Sequence, residues 1–336
     1  MSSVLHGGRL DEAKARFGGA DKKWLDLSTG INPNSWPIPE IEAEAWQRLP
    51  DVAAENACRE AARTAFEASE SSHISLAPGS QMHLQILPTL FKPQSVAIVG
   101  FTYQEHGVCW QRAGHEVYVT DGLESAEATA RIVVVVNPNN PDGRVFDREE
   151  LISLSRRLAA KGGLLVVDEA FCDAVPNVSV ANETGRDGLL VLRSFGKFFG
   201  LAGVRLGFAL CAEMLGKRLD AALGPWAVSG PALQIGVACL NDAKWRRKTV
   251  KKLQASRDDL EALLSEQKLT IVGGTSLFVL ASHPKASALE EHLGQTQILV
   301  RPFVGKPEWL RFGLPARKSE FNKIEKALKA FNSSEQ

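Results

Sequence analysis

Ile132-Val133-Val134-Val135-Val136, followed at once by Asn137-Pro138-Asn139-Asn140-Pro141-Asp142-Gly143, sets the class of fold. An unbroken aliphatic run of this length suits a strand covered on both faces, as strands of a parallel sheet are. The turn residues behind it mark the strand's end. Working outward, Ser95–Val99, Glu116–Thr120, Arg131–Val136, Leu164–Val167, Leu189–Leu192 and Leu206–Leu210 read as strands. Gln81–Leu90, Tyr103–Ala113 and Arg148–Ala160 lie between them and read as helices. That alternation predicts an α/β fold with a mostly parallel sheet and helices on both sides.

The last third has a different rhythm. Lys244–Leu264 reads as a long amphipathic helix, Leu269–Leu280, Gln297–Arg301 and Trp309–Gly313 as strands, and Lys318–Phe331 as a closing helix. The segment up to about Pro39 is rich in turn residues and reads as an arm on this smaller α+β domain. The expected division is an arm over 1–45, a large α/β domain over 46–225 and a small α+β domain over 226–336.

Bulk composition narrows the function. The chain has 336 residues, 44% hydrophobic and 23% charged, with 39 basic and 39 acidic side chains. Zero formal charge gives no electrostatic pull towards nucleic acid or a membrane surface. The run Lys244, Arg246, Arg247, Lys248, Lys251, Lys252 is followed by Asp258, Asp259 and Glu261, the pattern of a solvated helix face. Five scattered cysteines form no metal-ligand spacing and no disulfide framework, which fits a reducing cytoplasm. Met1–Leu10 lacks the apolar core of a signal peptide, and no aliphatic run is long enough to span a bilayer.

Chemistry concentrates at strand ends, where open α/β sheets bind their ligands. Asn137–Gly143 follows one strand, Asp168-Glu169-Ala170-Phe171 the next, and Ser194-Phe195-Gly196-Lys197 the one after. Each has a structural explanation alone: Asn-Pro-Asp-Gly makes a turn, Asp168 could cap a helix, and Lys197 could snorkel to water. A lysine among apolar and aromatic residues is also suited to capture an aldehyde as a Schiff base.

The order Asn-Pro-x-Gly, Asp-Glu-Ala, Ser-x-x-Lys, Arg-x-Gly resembles the fold-type I pyridoxal-phosphate enzymes, the aspartate-aminotransferase superfamily, over nearly the whole chain. The resemblance implies pyridoxal 5'-phosphate as cofactor, with Lys197 as its Schiff-base lysine. It implies Asp168 as partner of the ring nitrogen and Asn140 as donor to the ring hydroxyl, with a cis Asn140–Pro141 bond. Gly79, Ser80 and Gln81, before an apolar helix, would meet the cofactor phosphate together with Ser194 and Arg205. Tyr103 would stack on the ring, and Arg311 would clamp the substrate α-carboxylate. Arg301 matches an arginine of relatives with phosphorylated substrates. Two positions depart from the common pattern: Phe171 stands where many members have Tyr, and Gly196 where many have Ser or Thr.

His6-Gly7-Gly8, Asp26–Pro33 and Gly224–Pro231 narrow the resemblance to the threonine-phosphate decarboxylases of cobalamin biosynthesis. That implies a substrate-phosphate site from His6, Gly7, Gly8 and Asn32. It also implies decarboxylation of L-threonine O-3-phosphate to (R)-1-amino-2-propanol O-2-phosphate. An aminotransferase of a phosphorylated substrate such as histidinol phosphate would share Arg301, Arg311 and the cofactor residues. The superfamily further implies a homodimer; charge, hydropathy and cysteine usage lead us to expect a cytoplasmic protein with no metal, nucleic acid or membrane partner.

Overall fold

A computed structural model describes residues 7–20 and 23–334 of the chain. Helix α1 (Leu10–Phe17) and the short strand β1 (Leu25–Asp26) come first. Helices α2 (Ala43–Gln47) and α3 (Val52–Ala65) precede β2 (His73–Ala77), and α4 (Ser80–Ile86) follows it. Then come β3 (Ser95–Val99), α5 (Glu105–Arg112), β4 (Glu116–Thr120), α6 (Leu123–Thr129), β5 (Ile132–Val136), α7 (Arg148–Ala160), β6 (Leu164–Asp168) and β7 (Leu189–Ser194). A single turn, α8 (Phe195–Phe198), leads to β8 (Gly207–Cys211), α9 (Glu213–Leu223), α10 (Gly230–Asn241) and α11 (Ala243–Glu266). The chain closes with β9 (Thr270–Thr275), β10 (Phe278–Ser282), α12 (Ala286–Gln295), β11 (Ile298–Leu299), β12 (Arg301–Phe303), β13 (Lys306–Gly313) and α13 (Lys318–Ser334).

Two compact units emerge among the described residues. The larger holds Ser35–Asn140 and Arg144–Arg247; the smaller holds the chain up to Asn34, Pro141–Gly143 and the chain from Lys248. The larger is built on a seven-stranded sheet ordered β2-β8-β7-β6-β5-β3-β4. β3 to β7 pair in parallel, and β5 is at most 2% exposed along its whole length, as an aliphatic run in the sheet interior should be. Only β8 opposes its neighbours, pairing antiparallel with both β2 and β7. Its first residue, Gly207, sits across from Ala77 at the end of β2 and from Ser194 at the end of β7. The loops after β2 and β7 and the loop into β8 therefore reach the sheet edge where β5 and β6 also end.

The smaller unit has an antiparallel sheet ordered β12-β13-β10-β9, and β1 pairs in parallel with β11. Several local expectations change here. Leu269–Leu280 is a hairpin rather than one strand: the Leu277 N–H donates to the Thr275 hydroxyl at 3.1 Å and closes a turn. Gln297–Arg301 divides because Ile298–Leu299 pairs with β1 whereas Arg301 pairs with β13. In the larger unit the helix from Ser80 stops at Ile86 and tightens into a 3-10 turn over Leu87–Leu90, since Pro88 has no N–H to continue it. The cis peptide bond is Asn137–Pro138, three residues before the expected Asn140–Pro141. Among the described residues no helix is long and apolar enough to cross a membrane.

Candidate active site

In the larger unit Asp168 ends β6, 5% exposed. Its Oδ1 accepts the Ala170 N–H at 3.0 Å, and its Oδ2 lies 2.8 Å from His106 Nε2. An ionised carboxylate only accepts, so Nε2 is the donor. His106 is itself buried at the start of α5, so the pair is a charge-assisted contact with little competition from water.

Two neighbouring loops are bonded to each other. Asn139 Oδ1 accepts the Thr102 hydroxyl at 2.6 Å and its Nδ2 donates to the Phe101 carbonyl at 3.1 Å. Tyr103 and Asn140 thus leave two loops with a fixed relation. The Tyr103 hydroxyl donates to Gln81 Oε1 at 3.0 Å, and Gln81 Nε2 donates to Glu105 Oε2 at 3.1 Å. Glu105 can only accept, so it sets the amide's orientation and leaves the Gln81 oxygen for Tyr103.

Lys197 lies on α8, where Phe195, Phe198 and Phe199 are each 1% exposed and anchor the turn. Phe199 stacks on Trp245 with ring centroids 5.7 Å apart. Lys197 stays half-buried, its Nζ 5.9 Å from the Phe171 ring centroid. The departure at Gly196 has a packing cause: a Cβ there would stand 2.7 Å from the Ala202 Cα. Behind this edge Arg193 donates to Glu169 and Asp173, each at 2.9 Å, and ties β7 to the loop after β6. Burial would lower the Arg193 pKa, but the two carboxylates outweigh it and hold the guanidinium charged.

At the corner formed by β2, β8 and β7, Gly79 adopts φ +88°, open to glycine but strained for other residues. A Cβ at Gly79 would stand 2.5 Å from Arg205 Nη2, so the bare Cα leaves room for the guanidinium. Ser80 and Gln81 open α4, and Ser194 ends β7 at the same corner. Backbone N–H groups at the start of a helix, a hydroxyl and an arginine beside a glycine form a cradle suited to a phosphate.

The smaller unit carries a second cationic set. Arg301 and Arg311 are direct cross-strand partners on β12 and β13. Like charges so placed repel. Arg311 is 6% exposed, and burial, then Arg301, lower its pKa to about 9 against the opposing pull of Asp26. Its Nη2 donates to the Ser28 carbonyl at 2.8 Å. The Gly8 N–H donates to the Ser28 hydroxyl at 2.7 Å, and buried Asn32 closes a turn by accepting the Asn34 N–H at 2.9 Å. Gly7, Gly8, Asn32, Arg301 and Arg311 therefore all belong to this unit; His6 lies outside the described residues.

Residues 22–331 match the family model described as aminotransferase class I and II. The chain belongs to that family. Two curated members of similar length, both named threonine-phosphate decarboxylase, align along nearly the whole chain. The protein from Sinorhizobium sp. is 44% identical over 93% of each chain, and that from Pseudomonas aeruginosa 41% identical over 97% of each. A solved histidinol-phosphate aminotransferase from Sinorhizobium meliloti, in complex with pyridoxal-5'-phosphate, superposes with a TM-score of 0.80. It covers 98% of this chain and 96% of its own at 19% identity, and so bears on fold alone. The architecture is the fold-type I one, a large α/β unit with a smaller unit built from the C-terminal third and the N-terminal segment. Within this class I and II member the sequence reading passed over His106, Glu105, Thr102, Asp26 and Ser28 as site residues. A histidine three residues after Tyr103 is the local signal for His106, and Asp26-x-Ser28 forms a local side-chain turn; Thr102, Glu105 and the outer contacts of Ser28 show themselves only through long-range pairing.

Proposed function

We propose that the chain is a pyridoxal 5'-phosphate enzyme acting on a phosphorylated amino acid, and that it decarboxylates L-threonine O-3-phosphate to (R)-1-amino-2-propanol O-2-phosphate for cobalamin biosynthesis. The observation that carries the substrate class is the Arg301–Arg311 pair. Two cations forced opposite each other, one of them buried, are relieved by a ligand with more than one negative charge. The near-full-length relatives named threonine-phosphate decarboxylase support the reaction.

Pyridoxal phosphate fits the larger unit. Ser80, Gln81, Ser194 and Arg205 take its phosphate in the cradle that a Cβ at Gly79 would fill. Asp168, held by His106, would be the residue to face the ring nitrogen and would favour its protonated form. Asn140 donates to the ring hydroxyl oxygen, and Tyr103, fixed through Gln81, presents its ring face. Bound there, the cofactor supplies an electron sink for a bond broken at the substrate Cα. Lys197 anchors the cofactor and carries a proton to or from Cα. Arg311 takes the α-carboxylate. Arg301, Asn32 and the turn at His6, Gly7 and Gly8 take the substrate phosphate. Holding the carboxylate and the phosphate of the substrate would restrict its rotation at Cα, and the rotamer chosen would separate loss of CO₂ from loss of the α-proton.

A second reading is transamination of a phosphorylated substrate such as histidinol phosphate. The same lysine, carboxylate and arginine pair would serve it, and the solved enzyme of that name shares the fold. The discriminating experiment loads the protein with cofactor, adds L-threonine O-3-phosphate, and follows CO₂ with and without 2-oxoglutarate. CO₂ release that needs no keto acid, with an aminopropanol phosphate as product, is expected. Glutamate formation without CO₂ would move the protein to the transaminases.

The partner completing the assembly is a second copy of this chain. Trp46, Leu49, Val52 and Trp226 are 68%, 66%, 71% and 54% exposed in the larger unit. Gly230, at the start of α10, lies against the Ala45 carbonyl, which brings α2 close to the segment after Trp226. Large apolar side chains left in water this way suit a self-complementary interface.

A further inference from the structure

We propose that Ser28 is a positioning residue that couples the N-terminal glycine turn to Arg311, so that docking of the arm fixes the guanidinium. The inference rests on the reading above, in which Arg311 and Arg301 hold the anionic groups of the substrate.

Ser28 is 2% exposed and makes contacts in three directions. The Gly8 N–H can only donate, so the hydroxyl accepts from it at 2.7 Å and must spend its own proton elsewhere. It donates that proton to Asp26 Oδ1 at 2.6 Å, and the Ser28 N–H donates to the same oxygen at 2.9 Å. The Ser28 carbonyl in turn accepts from Arg311 Nη2 at 2.8 Å. Gly7 lies on that very carbonyl: a Cβ at Gly7 would overlap its oxygen. Arm and guanidinium thus meet on one residue, whose carbonyl touches both.

The residue cannot drift between them. Gly313, two residues beyond Arg311, donates its N–H to the Leu27 carbonyl at 2.6 Å, and a Cβ there would overlap the Thr29 carbonyl oxygen. The segment 27–29 is thereby pinned to the end of β13. Arg301 repels Arg311 across the strands, so the guanidinium needs an acceptor and a counter-charge to hold one orientation before ligand arrives. The Ser28 carbonyl is one such acceptor, and Asp26, oriented by Ser28, contributes counter-charge. Orienting the guanidinium in advance lowers the entropy lost when substrate binds.

The test uses the cofactor-loaded enzyme with L-threonine O-3-phosphate. Ser28→Ala is expected to raise KM about 10-fold, the loss of one buried hydrogen bond, while kcat falls by no more than about threefold. Trypsin cleavage after Arg9 should quicken about 10-fold in the same variant, because the arm loses its latch. Ser28→Thr keeps the hydroxyl and should restore both readouts. Gly7→Ala lifts the arm from the other side and should give the same pair of changes, which keeps the test open if Ser28→Ala folds poorly. Arg311→Lys separates the two levels of inference. If it leaves KM where it was, the reading of the arginine pair falls. If it raises KM but Ser28→Ala and Gly7→Ala alter neither KM nor cleavage, the coupling falls and the reading stands. A rise in KM without faster cleavage in both variants also contradicts the coupling.

Discussion

Replacing His106 with Phe tests how the larger unit holds its cofactor. The ring volume is kept and the Nε2–H donor, 2.8 Å from Asp168, is removed. Asp168 then keeps only the Ala170 N–H, in a site where it is 5% exposed. A hydrogen bond to a buried charged group contributes about 1.5–3 kcal/mol. A carboxylate that would face the cofactor's ring nitrogen would then lack the donor that orients it, so the loss would fall on the bound state. Cofactor affinity should therefore drop about 10- to 100-fold. Visible-absorbance titration of the cofactor-free protein reads this directly, with its melting temperature as a folding control. His106→Gln, which keeps an N–H donor, should recover most of the affinity. Binding by His106→Phe within about threefold of the parent would refute the reasoning, as would equal losses in Phe and Gln.

Three further expectations follow from packing and charge. Gly196→Ser would force a Cβ to 2.7 Å from the Ala202 Cα, so it should cost about 1–3 kcal/mol and lower the melting temperature by several degrees. His83 is fully buried against Ser75, and burial, opposed by Asp220, lowers its pKa to about 4 from 6.5. As pH falls through 6.5 the unfolded chain takes the proton first, so stability present above pH 6.5 drains away towards pH 4, by up to about 3 kcal/mol. Melting curves of the parent and of His83→Gln should diverge in slope over that window; parallel curves would contradict it. Trp46→Glu combined with Leu49→Glu should break the proposed dimer into monomers in sedimentation, since both side chains are exposed and apolar; a parent that already sediments as a monomer would refute the proposal.

How far the sequence could be read depended on whether a feature was local. Ile132–Val136 declares its own burial, and the turn residues behind it declare its end. Lys197 stood out because phenylalanines surround it, and the same phenylalanines anchor its turn. β2 was passed over because His-Ile-Ser-Leu-Ala alternates weakly and owes its place to pairing with β8, over 130 residues away in sequence. The break at Ser276-Leu277 was hidden because neither residue is a strong turn former; a side-chain bond from Thr275 closes it. His106, Glu105 and Ser28 act through partners 62, 24 and 20 residues distant, separations that no periodicity encodes. The cis bond fell at Asn137 rather than Asn140, where two Asn-Pro pairs offered the same local signal.

The most direct test of the central claim fixes the cofactor where it sits. The protein is loaded with pyridoxal phosphate, reduced with borohydride, digested and mapped by mass spectrometry. A single pyridoxyl modification on Lys197, lost in Lys197→Ala, is the predicted result. Modification of another lysine, or none, would contradict the account.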